Sequence, residues 1–523
     1  MNLADLLFEQ ARLNPERKAI VDGRSGRERI LSFAEAEARI HAAASRLEAA
    51  GLACGSQVLV LVPMRAELYL TLAALWKIGA TALFLDPSAG RKHVADCCAR
   101  SRPDAVVAIG AARWLCRLSR PLRAIPTKLF WGGELRFDAT EKGEGGTAAL
   151  AADHPAILTF TSGSTGRPKA AVRSHGLLAA QYEALRQAIE LRAGECELAT
   201  MPIIALVNLA AGITTLIPDA DLKRPGYVKP GPVLEQIARF QPDRCVASPS
   251  FLRRIAEAAP APLSSFRKVY TGGAPVFPSA LEVMRGGFDR AALTVLYGST
   301  EAEPISHLDW SEADAETRRK IREGGGLPVG RIVPETRLRV IPDQWGQRID
   351  STDTESWDRL RLPVGQTGEI VVAGRHVIPG YLGGIGDEEN KIRVGGAVWH
   401  RCGDAGYIDA EGRLWLMGRC AAAFDLGARR VYPFAVECAA VEAFQVPIAA
   451  CCEIDGVATL VLPPESRGKN IPRPFRVGGV EIPQVLFRSI PLDKRHNAKV
   501  DYGKLRHSGR KFSCWRGATP NSR

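Results

Sequence analysis

Ala156-Ile-Leu-Thr-Phe160 runs without a break into Thr161-Ser-Gly-Ser-Thr-Gly-Arg-Pro-Lys169. The first five residues are short and mostly apolar, as a buried strand requires. The next nine carry two glycines, four hydroxyl side chains and a lysine. Glycines let the backbone turn tightly and approach a ligand. The hydroxyls and the freed amide N–H groups then cradle phosphate oxygens, and Lys169 adds a point charge. A Walker A loop is excluded, because it ends in Gly-Lys-[Ser/Thr]. The plainer reading is an exposed strand-to-helix turn. That reading suits a lone Gly/Ser/Thr loop better than it suits eight specified positions in order.

Around this stretch, short apolar runs alternate with helical periodicity. Val58–Val62, Ala80–Leu85, Ala105–Ile109, Arg244–Ala247, Lys268–Tyr270 and Leu293–Leu296 read as strands. Leu3–Leu13 and Glu67–Ile78 read as helices, and Ser32-Phe-Ala-Glu35 as a capping box opening another. Repeated βα units predict an α/β fold of mostly parallel sheets covered by helices. After about Gly324, dense Pro and Gly and the runs Arg337–Ile341, Glu369–Val372 and Leu414–Met417 predict a small antiparallel β subdomain. Beyond Gly418 a compact α+β tail is expected, with a helix at Ala435–Phe444 and strands at Ile448–Glu453 and Thr459–Val461. The reading is therefore a large N-terminal α/β part followed by a small α+β C-terminal one.

The chain has 523 residues, 46% hydrophobic and 24% charged. Its mean hydropathy is −0.06. That is ordinary globular composition and excludes a disordered, collagenous or membrane-bundle protein. The formal charge is +12. Residues 421–523 hold 16 basic and 9 acidic side chains, which suits phosphate-bearing ligands. No basic-aromatic recognition module is present, so nucleic acid is not an expected partner. Twelve cysteines without a C-x-x-C pattern argue against zinc and redox motifs and for a reducing, cytoplasmic setting. No apolar run approaches the ~20 residues of a spanning helix. Peripheral membrane contact and partner enzymes of a pathway stay compatible with the sequence.

The stretch Thr161–Lys169 resembles the hallmark loop of the adenylate-forming superfamily of acyl-CoA synthetases, peptide-synthetase adenylation domains and luciferases. The resemblance covers nearly the whole chain. Thr271-Gly-Gly-Ala-Pro275 resembles the superfamily's adenine-pocket turn, and Tyr297-Gly-Ser-Thr-Glu301 its Tyr-Gly-x-Thr-Glu motif. Gly403-Asp-Ala-Gly-Tyr407 and Gly418-Arg419 complete the set.

The resemblance implies ATP and Mg²⁺ as cofactors. It places Thr161, Ser162, Gly163, Ser164, Thr165, Gly166 and Lys169 on the phosphates, and Gly273, Ala274, Pro275, Tyr297 and Gly298 about the adenine. Asp404 and Arg419 fall on the ribose, Thr300 on the α-phosphate and Glu301 on Mg²⁺. These residue types suit those tasks: an aromatic face packs a purine, a hydroxyl donates to a phosphoryl oxygen and a hard carboxylate takes Mg²⁺. The resemblance further implies a hinge after Arg419 that divides an AMP-binding adenylation domain, residues 1–419, from a small mobile C-terminal lid domain, residues 420–523, and one catalytic lysine carried by that lid. Lys499, in Pro491-Leu-Asp-Lys-Arg-His-Asn-Ala-Lys499, takes that role. Lys504, in Gly503-Lys504-Leu505-Arg506, is the competing candidate.

The Arg495–Lys499 spelling resembles the branch that includes the β-lactone synthetases of olefin biosynthesis. Leu85–Gly90, Met201–Leu206 and Glu301–Ser306 lean the same way. In the hinge stretch Gly418–Glu437, Ala422 stands for the usual Asp, Asp425 for Lys, and Ala428 for the Gly beside pantetheine. The aromatic-His acyl-gate motif is also missing, since Ile203–Gly212 has no His. These departures spare adenylation and weaken the case for CoA.

The expected function is ATP-dependent activation of a carboxylic acid, a fatty or 3-hydroxy fatty acid, ending in β-lactone formation. A fatty acyl-CoA ligase and a catalytically silent nucleotide-binding protein are the alternatives. The acid pocket is expected among Pro202–Gly212, Thr271–Pro275 and Tyr297–Glu303, lined by Ile203, Ile204, Leu206 and Val207.

Overall fold

The computed structural model describes residues 1–86, 89–140, 145–162, 168–350, 353–492 and 500–509. A first sheet orders its strands Thr127–Phe130, Ala105–Ala108, Gln57–Leu61, Thr81–Phe84, Pro155–Ser162 and Pro168–Ser174. All neighbours are parallel except the last pair. The expected strands are present. The strands that flank the glycine-rich stretch, however, pair antiparallel, so the strand before it leads to a return strand rather than to a helix. The ladder runs from Pro155↔Ser174 to Ser162↔Pro168, and the next helix, His175–Ala188, starts only after that return strand.

The second sheet has an antiparallel edge strand, Arg27–Ser32, and then six parallel strands: Lys18–Arg24, Thr214–Leu216, Cys196–Ala199, Arg244–Ala247, Lys268–Gly272 and Ala292–Ser299. There the chain turns back. Ala302–Asp309 pairs antiparallel with Ala292–Ser299. Leu327–Ile332, Arg413–Arg419, Ala397–Ile408, Gly368–Ala373 and Arg337–Ile341 follow in antiparallel order. The expected antiparallel subdomain is thus a continuation of the second parallel sheet.

Helix Ala66–Lys77 explains the longest apolar run. It is buried along its length as far as Trp76, because a helix that is apolar all round needs cover on every side. Its core cluster joins Val58 and Val60 of the first sheet to Ile20 and Val246 of the second. The helix Phe33–Ala49 starts on the expected capping box. Ser32 Oγ accepts from the Glu35 N–H (3.2 Å), and Glu35 accepts from the Ser32 N–H (2.9 Å).

After Arg419 come the hairpin Phe424–Leu426/Arg429–Val431, the helix Pro433–Phe444 and a sheet of Ala450–Ile454, Val457–Leu462 and Gln484–Phe487. Glu437 is buried beneath this sheet. It accepts from the Cys451 N–H and the Tyr502 O–H, both at 2.8 Å. Burial pushes its carboxyl up to about 7, against 4.5 for an ordinary glutamate. Between those values the folded chain holds more protons than the unfolded one. The stability due to this group is therefore full below pH 4.5 and is lost as pH rises through 7. The wild type should lose roughly 3 kcal/mol more than Glu437→Gln across that window. Denaturant unfolding of both proteins at pH 4.5, 5.5 and 7.5 measures the difference, and parallel pH slopes would contradict it.

Candidate functional site

Two hairpins and two paired strands bring the sequence-predicted residues together. Lys268–Gly272 ends beside Ala292–Ser299, where a Cβ on Gly272 would lie 2.4 Å from the Leu296 carbonyl oxygen. Gly273 then takes φ +77°, left-handed backbone that favours glycine. The turn Gly273-Ala274-Pro275 is left exposed to half-buried. Tyr297 and Gly298 close the strand Ala292–Ser299, and Thr300 and Glu301 form the turn into Ala302–Asp309.

Asp404 faces Arg419 across the ladder of Ala397–Ile408 and Arg413–Arg419. Arg419 Nε lies 3.2 Å from Asp404 Oδ1, and the Tyr297 hydroxyl donates to Asp404 Oδ2 at 2.8 Å. Three residues assigned to one nucleoside from separate motifs thus form a connected group. Burial, then the neighbouring Asp404 carboxylate, raises the Tyr297 phenol well above its ordinary value. Asp404 raises the Arg419 guanidinium. The ring of Tyr297 is thereby fixed by its hydroxyl, and the carboxylate is aimed by two donors.

A second group surrounds Glu301. Its Oε1 accepts from the Tyr381 hydroxyl (3.1 Å), and its carbonyl accepts from the Ile378 N–H (2.8 Å). Lys391 donates to the Ile378 carbonyl and lies 5.4 Å from the Tyr381 ring centroid. Burial pulls its ammonium down to about 8. Lys169 is 5% exposed, pairs with Glu389 at 3.0 Å and lies 5.8 Å from the same ring. Arg173, four residues along the same strand, donates to Thr159 Oγ1 (2.8 Å) and to the Thr300 carbonyl (3.0 Å). Burial lowers its guanidinium, and burial raises the nearby Glu303 carboxyl.

Arg173, Tyr381, Glu389 and Lys391 escaped the sequence reading. Only Arg173 left a signal: Lys169, Ala171 and Arg173 alternate on one face of a strand, basic at both ends.

Thr161 and Ser162 end the strand Pro155–Ser162, their backbones paired with Lys169 and Pro168. Gly163, Ser164, Thr165, Gly166 and Lys499 lie outside the described residues. Lys504, the competing lysine, is exposed and pairs with Asp501 at 2.6 Å. Helix Pro202–Ala210 buries Ile204 and Val207 in the core, and Ile203 and Leu206 alone of those four are half-exposed.

Among the described residues no three His, Cys, Asp or Glu side chains could hold a metal by themselves. One oriented carboxylate at Glu301 still fits Mg²⁺, which takes one or two carboxylates and fills its shell with water and substrate phosphate. Asp404→Ala should raise the KM for ATP by roughly tenfold or more, the worth of hydrogen bonds to a charged group, with kcat changed less. Tyr297→Phe keeps the ring and should change KM far less. Steady-state kinetics on both variants checks this, and equal KM values for Asp404→Ala and wild type would exclude the placement.

Residues 7–382 match the AMP-binding enzyme family. An olefin beta-lactone synthetase of Xanthomonas campestris pv. campestris is 33% identical over 442 residues, covering 80% of this chain and 78% of that protein. One from Stenotrophomonas maltophilia is 30% identical, covering 96% of this chain and 97% of that protein. An indoleacetate–CoA ligase of Aromatoleum aromaticum is 29% identical, covering 84% and 82%. In fold, the amide bond synthetase McbA of Marinactinospora thermotolerans superposes with a TM-score of 0.77 at 24% identity, covering 97% of this chain and 99% of that one.

Proposed function

Because this chain belongs to the AMP-binding enzyme family, and is by that membership an adenylate-forming enzyme, we propose that it activates a 3-hydroxy fatty acid with ATP and closes the acyl adenylate to a β-lactone. The observation that carries the nucleotide half is the connected group Tyr297–Asp404–Arg419 beside Thr300 and Glu301. Likeness to two olefin beta-lactone synthetases over most of the chain supports the second half. So does Ala428, where a pantetheine tunnel calls for Gly.

In the first step a carboxylate oxygen of the acid attacks the α-phosphorus, and the bond to the β-phosphate oxygen breaks, releasing pyrophosphate. Glu301 would hold Mg²⁺, which when bound would supply neutralising charge beside the phosphates. Asp404 and Arg419 hold the ribose, Tyr297 the base, and the Thr300 hydroxyl donates to the α-phosphate. Lys499 stabilises the charge growing on phosphorus. It is carried by the segment 420–523, which acts as a lid over residues 1–419. In the second step the 3-hydroxyl oxygen attacks the acyl carbonyl. The bond from that carbonyl carbon to the AMP oxygen breaks, and the hydroxyl proton passes to solvent. An intramolecular nucleophile gains effective molarity worth up to ~7–11 kcal/mol when well oriented, so a second substrate is unnecessary.

Incubation with ATP and a 2-alkyl-3-hydroxy fatty acid, with and without CoA, tests this. Repeated AMP release and a lactone in the organic extract are expected without CoA. The acid lacking its 3-hydroxyl should stop as bound acyl adenylate. AMP release that depends on CoA, with an acyl-CoA accumulating, would make the protein a thioester ligase. ATP binding without pyrophosphate release would make it catalytically silent.

A further inference from the structure

The short helix Ala112–Leu118 follows the strand Ala105–Ala108 and turns Cys116 into the core, fully buried. Its outer side carries Trp114 and Leu118, four residues apart and 63% and 80% exposed. The other large exposed apolar side chains of the described residues are scattered singly along the chain. Arg117 places its guanidinium 5.4 Å from the Trp114 ring centroid, and the next turn exposes Arg120 and Arg123. Exposed Arg186, Arg253 and Arg359 each sit beside a glutamate. Among the described residues no ion pair holds Arg117, Arg120 or Arg123.

An indole and a leucine side by side in water lose free energy that an apolar phase would recover. Three guanidiniums around them, without carboxylates, narrow that phase to one with negative charge at its surface. We propose that this face docks on an anionic lipid bilayer. Trp114 and Leu118 enter the boundary between headgroups and acyl chains, and Arg117, Arg120 and Arg123 meet lipid phosphates.

The topology gives the contact a use. Ala105–Ala108 and Pro155–Ser162 run parallel within one sheet. The C-terminal ends of these two strands, at Ala108 and Ser162, therefore lie at the same edge of that sheet, and the Trp114 helix follows the first of them. A bilayer on this side brings a membrane-dissolved acid to the edge where its carboxylate is to react. That use rests on the apolar acid proposed above; the docking itself does not.

Flotation of the full chain with phosphatidylcholine vesicles, and with vesicles containing 30 mol% phosphatidylglycerol, tests the inference. ATP–pyrophosphate exchange serves as a check on folding. Wild type should float with the anionic vesicles at low salt, lose most of that binding at 0.5 M NaCl, and ignore the neutral ones. W114A/L118S should bind at least about tenfold more weakly. R117Q/R120Q/R123Q should bind on the order of 100-fold more weakly, about fivefold for each arginine. Both variants should retain exchange activity. Wild type that fails to float with anionic vesicles overturns the inference. So does undiminished flotation of both variants. Vesicle-independent self-association abolished by W114A/L118S also overturns it, and would make the face a protein interface. A failure of lactone formation alone would count against the proposed function and leave the docking result intact.

Discussion

Lys499→Ala should slow adenylation by ~10²–10³ while leaving ATP affinity nearly unchanged. The basis is electrostatic: a single donor aimed at charge that appears only in the transition state is worth that much, and the ground state scarcely registers its loss. The competitor is informative. Lys504 sits in the first turn of the helix Tyr502–Gly509, exposed, with its ammonium on Asp501. A lysine already neutralised by a neighbour three residues away gains little by leaving it, so Lys504→Ala should stay within a fewfold of wild type. Pyrophosphate exchange on the two variants side by side decides the matter. A crippled Lys504→Ala beside an active Lys499→Ala would reverse the assignment.

The next largest loss is expected at Arg401, in stability first and activity second. Its guanidinium makes a bidentate pair with Glu369, at 2.7 and 2.6 Å, and both side chains are almost wholly buried. It also donates to the Gln344 and Gln347 carbonyls (3.0 and 2.6 Å). Removing one member of such a pair leaves the other charged or forced to take a proton in an apolar place, at a cost of about 3–5 kcal/mol. Burial already pushes the Glu369 carboxyl upward. Arg401→Met should therefore lower the unfolding midpoint sharply, and Arg401→Met/Glu369→Leu should recover much of the loss. The effect reaches the site, because Asp404 lies three residues further along the same strand. There Trp345 packs so close to Gly403 that a Cβ would stand 2.9 Å from its ring. An unchanged midpoint for Arg401→Met would mean that leaving Glu369 unpaired costs nothing, and would overturn this account.

What the sequence exposed and what it hid follow one physical division. Val-rich runs such as Val58–Val62 and the Ser32–Glu35 cap declare themselves, because strand burial and helix capping are local in the chain. Tyr297 and Asp404 were found although 107 residues separate them, since each lies in a motif whose order of residue types is specific; their hydrogen bond was not foreseeable. Tyr381 and Lys391 had no such signal. Their importance comes from facing Glu301 across elements distant in sequence, and nothing in Gly380-Tyr381-Leu382 announces it. The antiparallel return of the glycine-rich stretch was hidden for a similar reason. Pro168–Ser174 is alanine-rich and short, compatible with either element until its partner is known. Helix Pro202–Ala210 was ambiguous in another way. Ile, Leu and Val serve a core and a ligand pocket equally well, so composition alone could not separate the buried Ile204 and Val207 from the half-exposed Ile203 and Leu206.

The change of composition near Gly324 suggests a detachable module, and the backbone ladder forbids detaching it. Ser306 and His307 pair with Ile332 and Arg331, and Leu327–Ile332 pairs onward with Arg413–Arg419. Excising the antiparallel half would strip the partner from Ser306 and His307 on the outer side of Ala302–Asp309. Its unpaired N–H and C=O groups would then be offered to any other chain, which is how sheets aggregate. A crossover between homologous genes placed at this apparent boundary would have to carry both sides of the ladder at once. The seam therefore behaves as a place where recombination is penalised, although its glycines and prolines give it the look of a linker.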